Sequence, residues 1–210
     1  MSVLLRYIRY LFSAKNAYRI HSPFVYEMYT EVYEEHFKSN VDYELVYRVG
    51  RLLDGSRYLT MRKRKLARFL YRYAAYYEPK SVYLYGKVTA MAAAALALGN
   101  PHARVMVVYH DAYGRDAEGS GRGRKFVETL NAMGVVNVEL KGEDDFHRDF
   151  VEIDGEETLF VVQGHHFNRD MEAWWDTICE DEDVTLTLDF YRIGMVLYRE
   201  GMEKQNFVIK

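Results

Sequence analysis

Residue types that could do chemistry gather in four stretches: Tyr85-Gly86-Lys87-Val88-Thr89-Ala90, Tyr109-His110-Asp111, Gln163-Gly164-His165-His166 and Gly119-Ser120-Gly121-Arg122-Gly123-Arg124-Lys125. In the first, glycine lets backbone come close to a ligand, as a nucleoside or phosphate requires. His165 and His166, with His110, Asp111 and Gln163, offer the donors of a divalent-metal site or a general base. Their spacing matches no dedicated metal motif, so they read as a solvated or hydrogen-bonded histidine pair, and no metal is expected. The glycine-rich stretch could cradle a phosphate at a helix N-terminus. It lacks phosphate-loop spacing and a strand directly before it, and reads as a surface loop.

The elements that must hold these residues follow from periodicity. Ser22-Pro23 ahead of Phe24, Val25, Met28, Tyr29 and Val32 predicts a capped helix from about Ser22 to Phe37. Helical spacing recurs over Tyr43 to Leu53 and Arg62 to Tyr77, with no strand before Ser81. From there short apolar runs alternate with helices. Ser81 to Gly86, Arg104 to Tyr109, Val135 to Leu140 and Thr158 to Gln163 read as strands, and Val88 to Leu98, Arg124 to Met133 and Asp170 to Cys179 as helices. Continuous rather than alternating apolar strands predict a parallel sheet with helices on both faces. Val184 to Asp189 and Ile193 to Tyr198 predict a closing antiparallel hairpin. Residues 1–80 are thus expected as a helical cap and 81–210 as an α/β sheet. A doubly wound sheet binds ligand at its carboxyl edge, which directs attention to Gly86, Tyr109 and Gln163.

Bulk properties narrow the function classes. A chain of 210 residues with 28 basic and 31 acidic side chains carries a net charge of −3, so no nucleic-acid partner is expected. The single Cys179 excludes an internal disulfide framework and fits a reducing compartment, with the cytoplasm as the expected place. No run approaches the roughly 20 apolar residues of a membrane span. The first residues, Met1 to Phe12, are apolar around most of a helix, with Arg6 and Arg9 three apart; this segment is expected to dock on its own domain or on a second copy. The 19 tyrosines and 11 phenylalanines read as core and interface packing, with self-association or a partner protein as the consequence of an exposed remainder.

Several blocks together resemble a family of bacterial S-adenosylmethionine-dependent class I methyltransferases. They are Asn16 with His21-Ser22-Pro23-Phe24-Val25, Pro79-Lys80-Ser81 through Gly86, Leu96-Ala97-Leu98-Gly99-Asn100-Pro101, Met171-Glu172 with Trp175, Val184 to Asp189, Gly194-Met195-Val196 and Lys204-Gln205-Asn206-Phe207. The resemblance implies a Rossmann-like sheet and a cofactor site at Gly86, Lys87, Tyr109, His110, Gln163, Gly164 and His165. It also locates the departures. Where the family carries an acidic residue before the first-loop glycine, this chain has Leu84; a later loop glycine matches Ala90. The acidic residue ending the second strand matches Tyr109, which cannot accept two ribose hydroxyls as a carboxylate does. Paired aspartates match Gln163 and Gly164. A glycine-rich segment before Arg62 is missing, as is much of the fourth-strand region, of which Val151 to Gly155 could be a remnant.

Each lost hydrogen bond to a charged group costs about 1.5 to 3 kcal/mol, while micromolar affinity is only about 8 kcal/mol in total. The expected function is therefore a catalytically degenerate methyltransferase-like protein serving as a binding or structural module. The alternative is an active enzyme with a rebuilt site, using Lys87, Tyr109 and His110 for the cofactor and His165 or His166 as base.

Overall fold

A proline-led cap opens the helical part as its sequence requires. The computed structural model describes residues 3–16, 19–34, 43–54, 60–109, 122–142 and 157–209. Helix α1 spans Val3–Ser13. Helix α2, Pro23–Glu27, starts at Ser22, whose hydroxyl accepts from Val25 N–H, and runs into a π-helical turn over Met28–Tyr33. The buried Arg72 guanidinium donates to the Val32 carbonyl at 2.7 Å, capping this turn with positive charge at its carboxyl end. The expected extension to Phe37 falls outside the described residues. Helix α3 is Glu44–Leu53 and α4 is Met61–Tyr77, the latter capped by Thr60 and ended by Glu78 in the left-handed region just before Pro79.

The sheet contains β1 (Ser81–Gly86), β2 (Arg104–Tyr109), β3 (Val138–Lys141), β4 (Thr158–Gln163), β5 (Leu186–Asp189), β6 (Ile193–Leu197) and β7 (Gln205–Val208). Helices α5 (Ala90–Gly99), α6 (Arg122–Ala132) and α7 (Arg169–Glu180) alternate with them. The strand order is β3-β2-β1-β4-β6-β5-β7, with β6 antiparallel to both neighbours and the other pairs parallel. This is the expected α/β sheet with its antiparallel hairpin. Strand β1 pairs along all six residues with β2 on one side and β4 on the other, which leaves no room for a strand between β1 and β4. The expected loss of much of the fourth-strand region, and the remnant at Val151 to Gly155, lie outside the described residues. Strand β7 was not expected. Only Phe207 is buried among its first three residues, too little apolar pattern to mark it, yet it pairs in parallel with β5.

Alternation along each strand divides the interior in two. Val82, Leu84, Val105, Val107, Leu159 and Val161 face the core shared with α3, α4, α5 and α6. Tyr83, Tyr85, Met106, Val108, Phe160 and Val162 face the opposite side, where α7 contributes Met171, Trp175 and Ile178. Helix α5 is apolar all round because it is sandwiched between the sheet and α3 and α4. Its small side chains permit that approach: a Cβ on Gly99 would stand 2.4 Å from the Tyr71 carbonyl oxygen. Helix α1 packs on the same molecule, through Tyr7 and Tyr10 against Tyr191, the Tyr10 hydroxyl donating to the Ile209 carbonyl, and a bridge between Lys15 and Ile209. No helix among the described residues is long and apolar enough to cross a membrane.

Candidate functional site

Parallel pairing brings the ends of β1, β2 and β4 together, so Gly86 lies in register with Tyr109 on one side and Gln163 on the other. Gly86 takes φ +91°, and a Cβ there would stand 2.6 Å from the Gln163 carbonyl oxygen, so this tight departure from β1 needs glycine. The loop that follows is stitched down by its own protein. Lys87 N–H donates to the Gln163 carbonyl at 2.8 Å and Val88 N–H to the Gly86 carbonyl at 2.8 Å. Thr89 N–H donates to Gln163 Oε1 at 3.0 Å, while Gln163 Nε2 donates to the Thr89 hydroxyl. At the first turn of α5, Ala90 and Met91 N–H groups donate to the two Asp54 carboxylate oxygens at 2.7 and 3.2 Å. Ala92 N–H donates to the Thr89 side chain, the helix cap. Every backbone N–H from Lys87 to Ala92 thus has an internal acceptor. Burial pushes the Asp54 carboxyl above its usual pKa, opposed by the two backbone hydrogen bonds.

A second cluster lies farther along the same edge. Residue Asp189 ends β5, and its carboxylate accepts from His165 Nε2 at 2.9 Å and His166 Nε2 at 2.8 Å, one oxygen each. The Tyr191 N–H also donates to Asp189, at 2.6 Å, in a turn where Tyr191 adopts φ 65°. His165 is fully buried, its ring 4.6 Å from that of Trp175. Burial lowers the His165 pKa against the opposing pull of Asp189, so the ring is neutral and its N–H is the donor. Burial alone would raise the Asp189 pKa, but hydrogen bonds from the two imidazoles outweigh it and hold the carboxyl well below its usual range. A cleft of about 410 Å³ between α1, α7 and the β5–β7 edge opens onto His166 and Asp189.

The expected site residues therefore divide. Gly86, Lys87, Gln163 and Gly164 meet at the ends of β1 and β4, with Tyr109 ending the adjacent strand. Lys87 packs against Gly164, and its ammonium lies 4.1 Å from the Phe167 ring centroid. His165 turns away from this group toward Asp189. His110 and Asp111 lie outside the described residues. Sequence reasoning did not single out Asp54 or Asp189 for chemistry. An acidic residue closing the buried run Leu186-Thr187-Leu188 was a readable signal for Asp189; Asp54 reaches α5 from 36 positions away and had none.

Solved methyltransferase structures resemble this fold. The chain is similar to the cofactor-bound Rv0187 from MTB, with TM-score 0.50 and 13% identity over 80% of this chain and 96% of that one. It is also similar to the SAH-bound Podospora anserina methyltransferase PaMTH1, with TM-score 0.53 and 9% identity over 86% and 97% of the two chains. The fold is that of the class I methyltransferases. No family model matches the sequence, and no curated protein matches it.

Proposed function

We propose that this chain is a methyltransferase-fold protein of the bacterial cytoplasm that no longer holds S-adenosylmethionine and serves as a binding module. Residues 1–80 act as a cap on the sheet of 81–210. The observation that carries the reading is the sealed loop after β1. A nucleoside or a carboxylate approaching this edge needs free N–H donors at the loop and the helix N-terminus. Here Gln163 and Asp54 already occupy them, and the Asp54 carboxylate places negative charge where an anionic group of the cofactor would have to sit. The residues present do not fit the cofactor. Displacing Asp54 would forfeit two hydrogen bonds to a charged acceptor, roughly 3 kcal/mol at the low end, out of the 8 or so that define micromolar binding.

Exposed Ile8, Leu11 and Phe12 on α1 support the other half of the reading, a surface for a partner protein or a second copy. Calorimetric titration of the full chain with S-adenosylmethionine, and separately S-adenosylhomocysteine, tests the proposal. No saturable heat is expected at millimolar ligand. A submillimolar dissociation constant for either compound overturns it and restores the active-enzyme alternative built on Lys87 and Tyr109.

A further inference from the structure

We infer that His165, His166 and Asp189 form a binding site for a divalent transition-metal ion of the zinc class, at the floor of the cleft between α1 and α7. The donor set is two imidazoles and a carboxylate, which suits zinc, cobalt and neighbouring first-row ions better than magnesium or calcium. One ligand atom from each residue lies within 4.8 Å of the others. The two Nε2 atoms stand 2.9 and 2.8 Å from separate oxygens of the same carboxylate. Two atoms bound at adjacent positions to one ion, each at about 2.0 to 2.2 Å, stand about 3 Å apart. The two imidazole-to-carboxylate separations are therefore already at ligand spacing, and the two imidazoles need only close around the same carboxylate.

One of the two histidines has a carboxylate facing its outer nitrogen. Coordination through Nε2 leaves each neutral ring with its proton on Nδ1, where a carboxylate or a backbone carbonyl is the usual outer partner. His166 Nδ1 faces the Glu172 carboxylate at 3.7 Å, and the buried Nδ1 of His165 has no hydrogen-bond partner among the described residues. The Tyr191 N–H holds the third ligand, Asp189, in place. The Asp189 carboxylate is buried, and a dication brings it opposite charge where water does not. Access is through the cleft, which reaches His166 and Asp189 beside Glu172 and Cys179 and leaves room for water at the remaining positions on the ion. None of this depends on whether S-adenosylmethionine binds.

The test uses the full chain, without a polyhistidine tag and stripped with a chelator, titrated with Co²⁺ and read by visible absorption, then challenged with Zn²⁺. Saturation at one ion per chain is expected, with intense low-coordinate cobalt bands that zinc abolishes. His166→Gln and Asp189→Asn should each weaken binding at least about tenfold. Should Asp189→Asn fail to fold, His165→Gln and His166→Gln carry the comparison. Absence of saturable bands up to millimolar cobalt overturns the site. So does binding that survives His166→Gln unchanged, since the ion would then sit on other histidines.

Discussion

The Asp54 carboxylate, delivered from the end of α3, accepts the Ala90 N–H at 2.7 Å and so caps a helix to which it is not adjacent in sequence. Its other oxygen takes Met91 N–H. Replacing a capping carboxylate by alanine costs about 0.5 to 2 kcal/mol, which in a chain of this size lowers the melting temperature by roughly 1 to 8 °C. Asp54→Ala should fall in that range. Asp54→Asn keeps one carbonyl acceptor and should fall between it and the parent. Thermal unfolding of the three proteins checks the order, and equal melting temperatures would show that the contact does not support α5.

The same carboxylate predicts a pH dependence of unusual sign. Burial raises the Asp54 pKa in the folded chain, in spite of its two backbone hydrogen bonds. The native state therefore binds the proton more tightly than the unfolded chain, whose aspartate titrates near pH 3.9. This contribution to stability is fully present below the unfolded pKa and is lost as pH rises through the folded one. The stability difference between the parent and Asp54→Asn, from denaturant unfolding at several pH values, should shift against the parent as pH rises from about 4. A flat or opposite difference would contradict the assignment of burial as the dominant cause.

Most of the fold was legible because strands and helices here announce themselves locally. Ser81 to Gly86 and Thr158 to Gln163 are apolar runs closed by turn residues, and both strands match their expected bounds. Strand β7 escaped because Gln205 and Asn206 carry no apolar signal; its pairing is set by β5 and not by its own residues. The site was less legible for a related reason. Position along the chain located Gln163 and His165 at a carboxyl edge, but their side chains answer to Thr89 and Asp189, which folding alone brings near. Side-chain partners separated by 74 and 24 positions leave no periodic trace.

Gly194, on β6 opposite both Val162 and Asp189, marks how tightly the histidine cluster is walled. A Cβ at this position would stand 2.3 Å from Cη2 and 2.4 Å from Cζ3 of Trp175, whose ring is buried against His165. Gly194→Ala must push a core tryptophan, and overpacking of this kind costs about 1 to 3 kcal/mol. The expected result is lower stability to denaturant together with a changed near-ultraviolet dichroism band, because the Trp175 ring moves while the strand persists. Unchanged stability and an unchanged band would mean that the ring has space to retreat.

Removing the Asp54 side chain should also change what the α5 N-terminus binds. With the carboxylate gone, the Ala90 and Met91 N–H groups have no acceptor from α3, and the helix dipole there favours a negative charge. A sulfate ion supplies both the acceptor oxygens and the charge. Binding to the native state alone raises stability by RT ln(1 + [L]/Kd), so sulfate should raise the melting temperature of Asp54→Ala more than that of the parent. Sodium chloride at matched ionic strength serves as the control for general salt effects. An equal sulfate response in the two proteins would mean that the donors close on water or on another protein acceptor when Asp54 is lost. The loop would then be sealed by its backbone shape, and the Asp54 carboxylate would be an accessory to that closure, not its cause.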